Sequence, residues 1–243
     1  MRFNFSSKAS TCLITILALM GPEPSRADEK PEQAPPPASA LQKVRPGVFQ
    51  FNGVTLDNGL REVSFPAMVN MNSNLVEYVL VGNDGKTHES LLKTSVEPRD
   101  IHVAMLLIGA KGSPPQDAAE PDQEKVLQGD RIRVWIEWES KGDKRRVRAE
   151  DLVINDQTQR PMKQGDWIYN GSWMFNGRFV AQTERSVVSI IFDRDALINS
   201  GHPQRADDEI WFANTKRIPK PGHPVRVKLE ILAETSPTNT DKK

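Results

Sequence analysis

A strictly alternating run constrains the fold more than any other feature of this 243-residue chain. Residues 130–140, DRIRVWIEWES, place Ile132, Val134, Ile136 and Trp138 at every second position. Successive side chains of a β-strand point to opposite faces of the sheet, so this spacing predicts a strand with one buried face. Such a strand needs hydrogen-bonded neighbours, and the run therefore indicates a sheet.

Strand-type runs recur along most of the chain. Segments such as GVFQFNGVTLD, LREVSFPAMVN, RSVVSIIFD and HPVRVKLEIL are rich in β-branched and aromatic residues. About ten runs meet this description, and turn-forming residues separate most of them. The sequence therefore predicts a β-rich α+β domain with a mostly antiparallel or mixed sheet.

Three short polar sequences predict tight turns between strands. They are DNG at residues 57–59, NDG at residues 83–85 and NG at residues 176–177. Asn-Gly and Asp-Gly pairs adopt the positive φ angles that two-residue hairpin turns require. We therefore expect hairpins at these positions, including one that pairs NLVEYVLVG with KTHESLL.

Two segments carry helix signals instead. In SVEPRDIHVAMLLIGA, Ser95 is a candidate N-cap, Pro98 fits a first turn, and Gly109 is typical of the residue that follows a helix. Apolar residues between them recur at spacings of three and four, so we predict one main helix packed on the sheet. DRDALINSG, residues 193–201, predicts a second short helix, with aspartates at its start.

The N-terminal residues are typical of a secretory signal peptide. A basic start precedes an apolar run from Cys12 to Met20, and the small residues Ser25 and Ala27 precede a candidate cleavage position. The run is shorter than the about 20 apolar residues that a transmembrane helix needs. We therefore predict a signal peptide at residues 1–27, and an exported, periplasmic or extracellular protein with no transmembrane segment in the mature chain.

The remaining domain boundaries follow from composition. Residues 28–43 are rich in proline, alanine and charge, and residues 234–243 are polar. Such segments bury too little apolar surface to offset the entropy of ordering, so we predict a disordered spacer and a disordered tail. Residues 44–233 are then a single globular domain, long enough for a substantial core.

Charge and cysteine content narrow the possible functions. The formal net charge is zero, so no basic excess indicates a nucleic-acid partner. Cys12 is the single cysteine and lies in the predicted signal peptide, which leaves the mature chain without a thiolate for an iron–sulfur cluster. We therefore predict no cofactor, and any metal would need histidine and carboxylate ligands.

A candidate polar site begins in the segment GKTHESLLKTSVEPRDIH. His88, Glu89 and His102 are possible metal ligands there, and Asp207 and Asp208 follow in a later loop. His88 and Glu89 adjoin on a predicted strand, so their side chains are expected on opposite faces. The HExxH spacing of zinc hydrolases is absent from this segment. One interpretation is a metal or catalytic site; the other is a set of local hydrogen bonds and solvated loop residues.

Aromatic residues cluster in the segment DWIYNGSWMFNGRFV. Trp167, Tyr169 and Trp173 are candidate binding residues, because exposed aromatic rings stack on sugars or form protein contacts. Alternate positions of a hairpin face the core, so at least half of the aromatic residues in this segment are expected to be buried.

Four segments together resemble the YdjY domain of exported bacterial proteins. They are GKTHESLLKTSVEPRDIHVAMLLIGA, AEDLVIN, WIYNGSWMFNGRFVAQTERSVVSIIFDRDALIN and DDEIWFANTKRIPKPGHPVRVKLEI. The resemblance spans nearly all of residues 45–232 and agrees in order and spacing. It implies export and a single domain. It implies no enzyme class and no binding residues, because the family has no established activity.

Two hypotheses of function follow. The first is a non-enzymatic binding module of the periplasm or cell envelope, whose ligand is a protein or an envelope component. The alternative is a metal-binding protein or metal-dependent hydrolase that uses His88, Glu89 and His102. The sequence leaves open whether the protein is an enzyme.

Overall fold

The computed structural model describes residues 40–113 and 127–233. Within these ranges the helices are α1 (Pro98–Leu107) and α2 (Val180–Glu184), and 3-10 turns lie at Thr87–Glu89 and Ala149–Leu152. The strands are β1 (Gln42–Arg45), β2 (Val48–Phe51), β3 (Val54–Asp57), β4 (Glu62–Val69), β5 (Tyr78–Gly82), β6 (Ser90–Thr94), β7 (Asp130–Ser140), β8 (Asp143–Arg148), β9 (Val153–Asn155), β10 (Arg160–Pro161), β11 (Trp167–Tyr169), β12 (Met174–Phe175), β13 (Arg178–Phe179), β14 (Ser186–Ser189), β15 (Ile198–Ser200), β16 (Trp211–Ala213) and β17 (Pro224–Ile231).

The main sheet closes on itself. Its strands follow the order β4-β17-β7-β11-β15-β14-β5-β6, and β6 pairs back onto β4. The β14–β15 and β5–β6 pairs are parallel, whereas the other pairs in this ring are antiparallel. Strands β1 to β3 extend the sheet outward from β4, and β8 pairs with β7. The prediction of a β-rich α+β fold with a mixed sheet is confirmed.

The three longest strands, β4, β17 and β7, form the middle of the core. Val227 of β17 lies in register with Phe65 of β4 and Ile136 of β7, and all three side chains are fully buried. Ile132 and Val134 are also fully buried, so the alternation predicted for residues 130–140 is confirmed. Burying this face of β-branched and aromatic side chains removes apolar surface from water and stabilises the closed sheet.

Two of the predicted hairpin turns are confirmed. β3 and β4 form an antiparallel hairpin with Asp57 opposite Glu62 and residues 58–61 between them, and β12 and β13 are antiparallel across Asn176 and Gly177. Asn176 and Gly177 have φ angles of 48° and 76°. These positive values match the two-residue turn that the Asn-Gly pair favours.

The hairpin predicted at residues 83–85 is wrong. β5 and β6 are parallel, with Tyr78 opposite Ser90 and Gly82 opposite Thr94. The chain must return along the length of β5 before β6 can begin in the same direction. Residues 83–89 make this return, and the 3-10 turn Thr87–Glu89 ends it. The turn signal was correct for a local reversal but did not determine which strands pair.

The main helix is confirmed, and the second one lies elsewhere. α1 begins at Pro98, with Glu97 rather than Ser95 as its N-cap, and Gly109 follows it with a φ of 84°. No helix forms at residues 193–201, where β15 lies instead. The Asn199 side chain accepts a hydrogen bond from the Asp193 N–H and donates one to the Asp193 carbonyl oxygen. These local bonds replace the helical ones, and the second helix, α2, lies instead directly after the β12–β13 hairpin.

Several predictions concern residues outside the described ranges. The predicted signal peptide, most of the spacer and the tail lie there, although β1 already begins at Gln42. Within the described ranges, no helix combines the length and apolar character needed to cross a bilayer.

Candidate functional site

His88 and Glu89 lie on the 3-10 turn before β6 rather than on a strand. The His88 Nε2 atom is 3.4 Å from the Glu89 Oε2 atom, and the His88 side chain is 78% exposed. The prediction that the two side chains point to opposite faces is therefore wrong. A 3-10 turn places neighbouring side chains about a third of a turn apart, so they can meet.

Glu77 lies near both this turn and the loop that carries Asp207 and Asp208. The sequence analysis did not single out this residue. Burial and the charges of Glu89 and Asp208 raise the pKa of Glu77. Asp207 instead accepts a hydrogen bond from the Glu209 N–H. Among residues 40–113 and 127–233, no group of three or more His, Cys, Asp or Glu side chains is arranged to hold a metal ion.

His102 makes a separate set of contacts on α1. Its Nδ1 atom is 2.8 Å from the Tyr169 hydroxyl oxygen, and its ring lies 4.7 Å from that of Phe179. Burial lowers the pKa of His102, and burial together with Asp130 raises the pKa of Tyr169. The imidazole is therefore neutral near pH 7, and its Nδ1 atom and the phenol share one hydrogen bond whose direction is set by the imidazole tautomer.

A pH dependence of stability follows from His102. Its pKa is lower in the folded state than in the unfolded chain, where histidine titrates near about 6.5. The unfolded state binds more protons between these two values, so the free energy of unfolding should fall as the pH drops below about 6.5. We expect His102→Gln to reduce this dependence in urea titrations from pH 7.5 to 5.5 and to leave the part that comes from His202, whose pKa burial also lowers. His88→Gln is the control, and an equally flattened curve for it would contradict the assignment.

The three candidate aromatic residues do not form a common exposed surface. Trp167 and Tyr169 are 1% and 0% exposed, respectively, and belong to the core. Trp173 is partly buried; the Arg194 guanidinium lies 3.7 Å from its ring centroid, and its Nε1–H donates to Asp195 Oδ1 at 2.8 Å. Trp167 and Tyr169 are therefore not available as surface-binding residues, although Trp167 lines a partly open cavity.

A different set of side chains forms an exposed apolar surface, which we call the α1–hairpin surface. α1 buries Ile101 and Met105 against the core, whereas its opposite face is also apolar. Two exposed apolar residues of the β12–β13 hairpin, which packs on α1, are counted with this outer face. The members and their exposed fractions are Val103 (38%), Leu106 (50%), Leu107 (51%), Met174 (60%) and Phe175 (50%).

The β12–β13 hairpin packs on α1 through Phe179, which lies opposite Met174 in the hairpin register. Phe179 of β13 contacts His102 of α1, which is one helical turn from Leu106. The Arg99 N–H also donates to Gln182 Oε1 of α2 at 3.0 Å, and α2 directly follows the hairpin. Sequence analysis missed this surface, although the available signal was that α1 is apolar on both faces.

Two arginines border the α1–hairpin surface. Arg99 is exposed one helical turn before Val103, and Arg178 is exposed opposite Phe175 in the hairpin register. Exposed cations beside an apolar patch favour partners that carry acidic groups at the matching rim.

A cavity lies elsewhere in the molecule, and we call it the Glu150 cavity. Its volume is about 220 Å³. Apolar walls come from Met162, Trp167 and Pro203. The other lining residues are Glu150, Lys163, Gln164, Gly165, Asp166, Ser200, Gly201 and His202.

Glu150 is a buried carboxylate with one oxygen hydrogen-bonded and the other without a hydrogen-bond partner, as is the Nε atom of the neighbouring Arg148. Glu150 is 2% exposed. Its Oε1 atom accepts hydrogen bonds from Arg148 Nη2 at 2.5 Å and from the Gly165 N–H at 3.1 Å. Its Oε2 atom is buried and has no hydrogen-bond partner. A buried polar atom without a partner is costly, so a group that donates to Oε2 would be stabilised there.

His202 lines the same cavity as a neutral imidazole. Its Nδ1 atom accepts a hydrogen bond from the Gln204 N–H at 3.2 Å, so its own proton is on Nε2. Its ring also meets Trp211 edge-on, with centroids 5.0 Å apart. Burial and the positive charge of Lys163 lower the pKa of His202.

The wall of the Glu150 cavity requires a glycine at position 201. A Cβ atom there would lie 2.5 Å from the Asp166 carbonyl oxygen, whereas one at Gly165 would meet no atom within 4 Å. We expect Gly201→Ala to lower the free energy of unfolding by about 1–3 kcal/mol, since the backbone must move. Gly165→Ala should change it by less than about 0.5 kcal/mol. Equal midpoints in urea denaturation would contradict this packing.

The fold thus defines an α+β protein with a closed mixed sheet, an exposed apolar surface and a buried, half-satisfied carboxylate. The YdjY domain family matches residues 54–230, which is most of the chain. The chain therefore belongs to the YdjY domain family. No curated protein and no solved structure matches it.

Proposed function

We propose that this protein is a non-enzymatic binding module of the cell envelope that docks another protein on its α1–hairpin surface. The observation that carries the proposal is α1 itself, which is apolar on the face that packs on the core and on the face that meets solvent. A surface helix typically carries mostly polar residues on the face that meets solvent, whereas α1 exposes Val103, Leu106 and Leu107 there. The outer face of α1 is therefore exposed to solvent although its apolar composition favours burial.

The composition of the surface supports a protein partner. Isolated exposed apolar residues are common, but several of them on two elements that pack together are typical of interaction sites. Interfaces are enriched in aromatic residues, methionine and arginine, and this patch combines Phe175, Met174 and Arg178. Methionine also adapts its shape to a partner more readily than branched side chains.

The rim indicates which kind of protein fits. Arg99 and Arg178 favour an apolar surface bordered by aspartate or glutamate. A second copy of the chain would present the same arginines, so a self-complementary contact would place like charges near each other. We therefore commit to a different protein with an acidic rim as the occupant.

Export and the absence of catalysis are parts of the same proposal. The layout of residues 1–27 supports export. The four histidines all lie among the described residues and have local partners: His88 pairs with Glu89, His102 with Tyr169, His202 with the Gln204 N–H, and His223 with the Glu139 carbonyl oxygen. Local structural roles of this kind support a binding function rather than acid–base chemistry.

Comparative affinity purification tests the proposal. The full-length chain would be expressed with a C-terminal tag in its source cells, as wild type, Phe175→Ser and Val44→Ser. Val44 is also apolar and exposed, but it lies on β1 at the edge of the sheet. We expect an envelope protein to be recovered with wild type and Val44→Ser and lost with Phe175→Ser. Recovery of the same proteins by all three, or of the chain alone, would overturn the proposal.

A further inference from the structure

The Glu150 cavity holds charges that are already balanced within the protein. Arg148 forms an ion pair with Glu150 at 2.5 Å, and Arg131 forms one with Asp166. Lys163 adds a positive charge to the lining. A cationic ligand would meet the field of Lys163, and an anionic group has no hydrogen to donate to the unpartnered Glu150 Oε2 atom, so a neutral ligand with hydrogen-bond donors fits best.

The hydrogen-bonding groups of the cavity lining that lack a protein partner include both acceptors and donors. Glu150 Oε2 is a buried acceptor without a partner. Lys163 carries ammonium donors, and the neutral ring of His202 carries its proton on Nε2. A hydroxyl group donates one hydrogen bond and accepts two, so hydroxyls can satisfy an acceptor and donors in one site.

The apolar walls and the volume of the Glu150 cavity further restrict the class of ligand that fits it. Trp167 and Met162 are almost fully buried and line the cavity with apolar atoms. A volume of about 220 Å³ holds several water molecules, which take about 30 Å³ each, but is below the range of drug-sized pockets. A single saturated ring with hydroxyls at its edge and C–H groups on its faces matches these dimensions and this lining.

We propose that the Glu150 cavity is a binding site for a neutral, polyhydroxylated ring of monosaccharide size, with Glu150 accepting a ligand hydroxyl hydrogen and Lys163 and His202 donating to ligand oxygens. This site is separate from the α1–hairpin surface, so it adds a small-molecule ligand to the docking function. Filling it supplies the hydrogen bond that Glu150 Oε2 lacks, and hydrogen bonds to buried charged groups are among the stronger ones.

Nuclear magnetic resonance titration of the purified full-length chain tests the site. The probes are D-glucose, D-galactose, D-mannose and N-acetyl-D-glucosamine, with methylammonium and acetate as charged controls. The Trp167 indole N–H resonance reports occupancy, because Trp167 lines the cavity; the Trp167→Phe spectrum assigns it. We expect a saturable shift with at least one neutral sugar and none with either ion.

Variants then locate the binding. Glu150→Gln should weaken the sugar at least about tenfold, as expected for loss of a charge-assisted hydrogen bond. Lys163→Met should weaken it without affecting folding, since Lys163 is exposed. Lys216→Met, an exposed lysine outside the cavity lining, should leave the affinity unchanged.

Three results would overturn the proposal. They are no shift with any neutral sugar, a shift with methylammonium or acetate instead, and sugar binding that is equal in wild type and Lys163→Met. If Glu150→Gln fails to fold, the comparison of Lys163→Met with Lys216→Met still decides the outcome.

Discussion

The Arg148→Met variant is expected to lose about 3–5 kcal/mol of its free energy of unfolding, the largest effect on stability predicted for a single polar residue here. Arg148 and Glu150 are 8% and 2% exposed, and Arg148 Nη2 bonds both the Glu150 Oε1 atom and the Gly165 carbonyl oxygen at 2.5 Å. Removing the guanidinium leaves a buried carboxylate without its counter-charge. The free energy of unfolding of a small domain is about 5–15 kcal/mol, so this loss is a large part of the total.

Two further variants make this expectation specific. Arg146→Met removes an arginine on the same strand whose side chain is 45% exposed, so it should cost about 1 kcal/mol or less. The double variant Arg148→Met/Glu150→Leu removes both buried charges and should recover most of the stability lost. Urea denaturation at pH 7, followed by tryptophan fluorescence, measures all three. A loss below about 1 kcal/mol in Arg148→Met would contradict a buried, coupled pair.

The Leu106→Ser/Leu107→Ser variant is expected to weaken binding of the docked protein by at least about 100-fold. Burying one leucine side chain contributes about 1.5–3 kcal/mol, and a 100-fold change in affinity corresponds to about 2.8 kcal/mol. Both leucines are about half exposed in the free protein, so an interface can bury the half of each side chain that is still exposed to solvent. Interferometry with the purified partner, identified by comparative purification, would measure the affinity.

The control for this prediction is Val44→Ser, which should bind as wild type does. The leucine variant should also keep its urea midpoint, because substitutions at exposed positions usually change stability by less than about 0.5 kcal/mol. Arg178→Glu should mainly slow association and reduce its dependence on salt, as expected for a charge at the rim. Equal affinities for the leucine variant and Val44→Ser would contradict the assigned surface.

The sequence predicted the sheet wherever a local pattern decided the structure. Residues 130–140 alternate because each second side chain of β7 must enter the core, and that requirement is visible without knowing the neighbours. The Asn176–Gly177 turn was likewise readable, since few residues adopt its backbone angles. The parallel pairing of β5 and β6 could not be predicted from the sequence, because it depends on which strands the closed sheet brings together.

The candidate sites were harder to predict for the same reason. Glu150 is one acidic residue in a polar segment of the sequence, and only its contacts with Arg148 and Gly165 show that it is buried and half satisfied. The outer face of α1 could be recognised as apolar, but its exposure depends on which elements cover the helix. His88 and Glu89 were placed on a strand because nothing local signalled the 3-10 turn.

Site-specific photocrosslinking tests the docking function most directly. A photoreactive phenylalanine analogue would replace Phe175 or, as the control, Val44 in the full-length chain within its source cells. The account predicts an adduct with one other protein from position 175, absent from position 44 and lost in the Leu106→Ser/Leu107→Ser background. No adduct from position 175, the same adducts from both positions, or an adduct only with a second copy of the chain or with lipid would contradict it.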